Sequence, residues 1–77
     1  VNIIFSDHAL LQIKRRNIPK KIVIQGVEKS TDINQSFRGR TVRRIRHEDK
    51  MLEIVTLEQN LEVTIITAYY LEIKDFI

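Results

Sequence analysis

The segment from Phe37 to His47, FRGRTVRRIRH, carries five arginines within nine residues: Arg38, Arg40, Arg43, Arg44 and Arg46. Guanidinium groups at this density form charge-assisted, often bidentate, hydrogen bonds to phosphate oxygens. Val42 and Ile45 are interleaved with them, a mixture that suits a strand. If the strand opens at Arg38, its period of two sets Arg38, Arg40, Arg44 and Arg46 around Val42 on one face. Thr41, Arg43, Ile45 and His47 then occupy the other. The plainer reading is a solvated edge strand whose charges discourage aggregation. Five arginines together favour contact with RNA or another phosphate-bearing ligand.

A second set of chemical groups lies upstream. His8 and Arg16 are eight residues apart, which on a helix leaves them about 80° apart in projection and two turns apart along the axis. Histidine is the side chain suited to acid–base work near neutrality. The plainer reading of His8 is an exposed histidine in the first turn of a helix. His47, beside Glu48 and Asp49, is a weaker candidate. His8 and His47 lie far apart in sequence and no carboxylates cluster at ligand spacing, so neither metal nor other cofactor is expected.

These residues need elements to hold them. Ser6 is a good N-cap, Asp7 suits a first turn, and Lys14, Arg15 and Arg16 suit a last turn, which predicts a helix over about 7–16. Asn17 is fitted to a left-handed stop, and Ile18-Pro19 opens a second helix that ends near Glu28. Ile22, Val23, Gly26 and Val27 make its core stripe. Asn2 to Phe5 reads as an edge strand or an apolar lead-in. Residues 29–36 read as a loop with room for a short strand around Ile33. Strands follow over about 38–47, 51–58 and 61–70, with links short enough to make them antiparallel neighbours. In the last strand, uninterrupted alternation places Leu61, Val63, Ile65, Thr67 and Tyr69 on one face. The tail from Leu71 to Ile77 packs on the body, adds an edge strand or engages another chain. The expected architecture is α+β: two N-terminal helices packed on one face of a three- to four-stranded antiparallel sheet.

Seventy-seven residues make one domain, over 1–77, with a small core. Cysteine is absent, which excludes disulfides and thiolate metal sites and fits a cytoplasmic protein. No stretch reads as a signal peptide or is long enough to span a bilayer. The net charge of +3 conceals a division: residues 1–47 carry 11 basic and 3 acidic side chains, or +8, and residues 48–77 carry 2 and 7, or −5. A basic working surface follows, with most of the acidic residues elsewhere. Apolar positions on both faces of the strands suggest that a second copy or another protein covers the side away from the helices.

Ser6-x-His8-Ala9, then Ile13, Arg16 and Ile18, a second helix, a basic strand and the final Val63-Thr64-Ile65-Ile66-Thr67-Ala68-Tyr69 together resemble domain of unknown function family 4258. That family is grouped with the RelE-like and BrnT-like toxins, and the resemblance covers about residues 3–70. It implies a RelE-like ribonuclease toxin fold and the toxin of a type II toxin–antitoxin pair, bound by a cognate antitoxin and cutting RNA without metal. Carried over by position, His8, Arg16 and Tyr69 are the implied catalytic residues. Arg40 or Arg44 and Thr67 are the implied RNA contacts, and the arginine stripe read from the strand adds Arg38 and Arg46 to the RNA-binding candidates. Such cleavage needs a base for the 2′-hydroxyl, cations for the phosphorane and an acid for the departing 5′-oxygen. His8 is the candidate base or acid, and Arg16 with Arg40 or Arg44 the clamp. Tyr69 either stacks on a base or moves a proton, and in the plainer reading it is core. The rival reading is a non-catalytic RNA-binding or partner-binding module.

Overall fold

The computed structural model describes residues 2–72. Strand β1 (Asn2–Phe5) leads into helices α1 (Asp7–Arg15) and α2 (Lys20–Lys29), followed by β2 (Asp32–Gln35), a 3₁₀ turn at Phe37–Gly39, β3 (Arg40–His47), β4 (Lys50–Gln59) and β5 (Glu62–Glu72). The architecture is α+β, as expected. The sheet is not the three- to four-stranded antiparallel one. It has five strands in the order β1-β5-β4-β3-β2, and β1 runs parallel to β5, Asn2 opposite Glu62 and Phe5 opposite Ile65. The pairing joins the two ends of the described chain, so local patterning carries no sign of it. The short strand near Ile33 forms as β2, an edge strand antiparallel to β3. Of the tail, Leu71 and Glu72 extend β5, and the remainder lies outside the described residues.

Local chemistry fixes both ends of α1. The Ser6 hydroxyl accepts a hydrogen bond from the Ala9 N–H at 3.0 Å, satisfying an orphan donor of the first turn. At the other end Asn17 takes φ 54, the Ile18 N–H donates to the Ile13 carbonyl at 2.9 Å and the Asn17 N–H to that of Lys14. This is a Schellman stop, and Ile13 and Ile18, both buried, supply its apolar contact. The chain turns there and α2 begins at Lys20, with Pro19 as its N-cap.

The helices cover one face of the sheet. Ala9, Ile13, Ile18, Val23 and Val27 meet Leu52 and Ile54 of β4 and Val63, Ile65 and Ala68 of β5. Gly26 lets α2 approach closely: a Cβ there would stand 2.4 Å from Ile54 Cδ1 and 3.1 Å from Ile45 Cγ2. Arg43 also lies on the helix side, as alternation predicts, where it donates to the Val27 carbonyl at 3.3 Å and pairs with Glu58.

The uninterrupted alternation expected of the last strand fails at Ile66. Thr56 pairs with Ile65 but Val55 pairs with Thr67, so Ile66 is an extra residue, a β-bulge. Beyond it the faces exchange. Ala68 and Tyr70 join Val63 and Ile65 against the helices, and Thr67 and Tyr69 turn to the open face instead of sharing a face with Val63 and Ile65.

Candidate nucleic-acid interface

The open face of the sheet is where the predicted residues converge. Register places Arg44 of β3, Glu53 of β4 and Tyr69 of β5 in one row across three strands. Glu53 is only 7% exposed, although no helix among the described residues covers it. Its carboxylate accepts a hydrogen bond from Arg44 Nε at 2.7 Å and another from the Tyr69 hydroxyl. A buried carboxylate with both oxygens engaged by strong donors is the arrangement that burial of a charge demands.

Arg16 joins this row from the end of α1. Its guanidinium donates to the Ala68 carbonyl at 2.8 Å and to the Thr67 hydroxyl at 3.4 Å, and lies 5.9 Å from the Tyr69 ring centroid. The Schellman stop and the bulge thus act together: one brings Arg16 to the rim of the sheet and the other turns Thr67 and Tyr69 toward it. Arg16 remains exposed, with donors left for an anion.

Ionisation follows the same contacts. Burial, then the hydrogen bond to Glu53 and its charge, push the Tyr69 phenol up to about 12, against a smaller opposite effect of Arg44 and Arg16. The hydrogen bond to Glu53 raises the pKa of Arg44, opposed by burial. Near neutrality Tyr69 therefore keeps its proton and directs it at Glu53, leaving oxygen lone pairs for a further donor.

Of the residues singled out in the sequence, Arg16, Arg44, Thr67 and Tyr69 are brought together. Arg40 and Arg46 share the open face with Arg44, opposite Leu57 and Met51, and neither forms an ion pair among the described residues. Arg38 does not open the strand. It lies in the 3₁₀ turn at φ 60, exposed, so the stripe begins at Arg40. His8 is exposed in the first turn of α1, about 12 Å of helical rise from Arg16. Among the described residues it makes no hydrogen bond or ion pair with the row. Glu53 escaped the sequence reading, though a signal existed: a lone carboxylate within MLEIV, which a two-residue turn at Glu48-Asp49 sets opposite Arg44.

Between the open-face arginines the surface is apolar, with Val42, Val55 and Leu57 half-buried. Among the described residues no His, Asp or Glu group is clustered to hold a metal ion, and no helix is long and apolar enough to cross a membrane. Comparison with protein-family models, curated proteins and solved structures found no match.

Proposed function

We propose that the chain is a metal-independent endoribonuclease, the toxin of a toxin–antitoxin pair with a RelE-like fold, and that RNA lies across the open face of its sheet. The observation that carries this reading is the row of Arg16, Tyr69, Glu53 and Arg44: two cations and a proton-carrying phenol around one buried carboxylate. In this reading Arg16 and Arg44 hold the phosphate, and Arg40 and Arg46 hold neighbouring phosphates. The Tyr69 oxygen accepts the proton of the RNA 2′-hydroxyl as its own proton passes to Glu53. The 2′-oxygen then attacks phosphorus, the bond to the 5′-oxygen breaks, and that oxygen takes a proton from a water whose hydroxide recovers the proton held on Glu53. A 2′,3′-cyclic phosphate and a 5′-hydroxyl result. His8, assigned acid–base work from the resemblance, stands two helical turns from Arg16 and serves here as a contact to flanking RNA. The half-buried Val42, Val55 and Leu57 between the arginines support an antitoxin, or a second copy, covering the same face.

A binding module without cleavage is the second reading. It is favoured by the mutual satisfaction of Tyr69 and Glu53 and by the distance of His8. Incubating RNA with the protein in EDTA separates the two: cyclic-phosphate products support cleavage, and retained but intact RNA supports the module.

A further inference from the structure

A cleft of about 550 Å³ opens between the α1–α2 turn, at Arg16 and Asn17, and the β3–β4 turn, at Glu48 and Asp49, with His47 and Tyr70 also lining it. The two rings stack with centroids 5.9 Å apart and planes at 19°, and His47 Nδ1 lies 2.9 Å from the Tyr70 hydroxyl. Lys50 Nζ stands 5.4 Å from the Tyr70 centroid. Aromatic planes, a cation and free carboxylates are therefore assembled in one recess.

Arg16 links this cleft to the open face. Arg16, whose guanidinium donates to Ala68 and Thr67, also lines the cleft, so a nucleotide whose phosphate is held at Arg16 has its base within reach of the recess. Unstacked RNA bases are recognised by stacking on aromatic rings and by hydrogen bonds to their Watson–Crick edges. Glu48 and Asp49 are exposed and form no ion pair among the described residues. A carboxylate offers two acceptor oxygens side by side and no donor. Among the four RNA bases, guanine alone presents two neighbouring N–H groups, N1 and N2, on its Watson–Crick edge. Adenine and cytosine each present one amino group beside an acceptor, and uracil one N–H between two carbonyls.

We propose that this cleft is a guanine subsite, in which Glu48 or Asp49 accepts from N1–H and N2–H of the base while the His47–Tyr70 pair offers a stacking surface. The inference rests on the phosphate-binding role given to Arg16 above and adds a base preference to it. Burial raises the Tyr70 pKa, and the negative charge of Glu48 adds a smaller push in the same direction.

The test titrates guanosine, adenosine, cytidine and uridine 3′-monophosphates into the whole protein, following the ring resonances of His47 and Tyr70. Guanosine 3′-monophosphate should bind about tenfold or more tightly than the others, the discrimination of one good bidentate contact. Glu48→Gln or Asp49→Asn should bring it down to the adenosine level; both positions are exposed, so the fold is retained. Equal affinity for all four nucleotides, or a preference that survives both substitutions, overturns the inference. RNA containing a single guanine separates it from the ribonuclease reading. Cleavage at every base alike leaves the enzyme standing and removes the subsite, whereas selective guanosine monophosphate binding with uncut RNA supports the subsite and removes the enzyme.

Discussion

Glu53 is a carboxylate buried on the side of the sheet opposite α1 and α2, and its cost is met by Arg44 and Tyr69 together. Tyr69→Phe leaves one oxygen without its donor, and urea unfolding near neutral pH should show a loss of about 1.5–3 kcal/mol, the range for a hydrogen bond to a charged group. The phenol also sets a pH dependence. Its pKa rises from 10.0 in the unfolded chain to about 12 in the fold, so the protonated phenol favours folding below pH 10. That contribution is lost as pH rises toward about 12. Wild type should lose stability across this interval more steeply than Tyr69→Phe, and a phenolate absorbance titration should find one tyrosine ionising near the upper end. Parallel curves for the two proteins would show that Glu53 does not hold the phenol. Much of this row is legible in the sequence as separate residue types. Their convergence is not, because Glu53 gains meaning only when the hairpin register sets it opposite Arg44.

At the scale of elements, two irregularities build the site. The Asn17 stop was legible, since asparagine after a basic last turn is a local signal. The bulge at Ile66 was not: the adjacent apolar pair Ile65-Ile66 interrupts the alternation of Leu61, Val63 and Ile65, but only pairing with β4 shows that the faces exchange there. For the same reason the parallel β1–β5 pair escaped local reading, whereas the short links between β3, β4 and β5 declared their antiparallel order. The helix layer has its own test at Gly26. A valine there would drive its side chain into Ile54 and Ile45, so Gly26→Val should cost about 1–3 kcal/mol by thermal or urea unfolding, the usual range for overpacking. A variant as stable as wild type would mean that α2 rides higher on the sheet.

For the whole molecule, charge is divided along the chain, and Arg16, Arg40, Arg44 and Arg46 gather about the open face. If these arginines bind RNA through phosphates, each neutralised phosphate releases counterions and affinity falls with salt. With three or four contacts the slope of log affinity against log salt should be about −2 to −3, taking about −0.7 per contact on a single strand. Arg44→Ala should flatten it by about one contact and weaken all RNA sequences alike. A slope near zero would detach the arginines from RNA altogether. The proposed cleavage takes place at the row of Arg16, Tyr69, Glu53 and Arg44. Its most direct measurement is the rate of RNA cleavage in EDTA by wild type, Tyr69→Phe and Arg16→Ala. Wild type should give 2′,3′-cyclic phosphate products, and Tyr69→Phe should lose about 10²–10⁴-fold in rate, the usual worth of a proton-transfer group. Arg16→Ala should lose both rate and affinity. Uncut RNA with wild type, or cleavage by both variants at the wild-type rate, would contradict cleavage at this row.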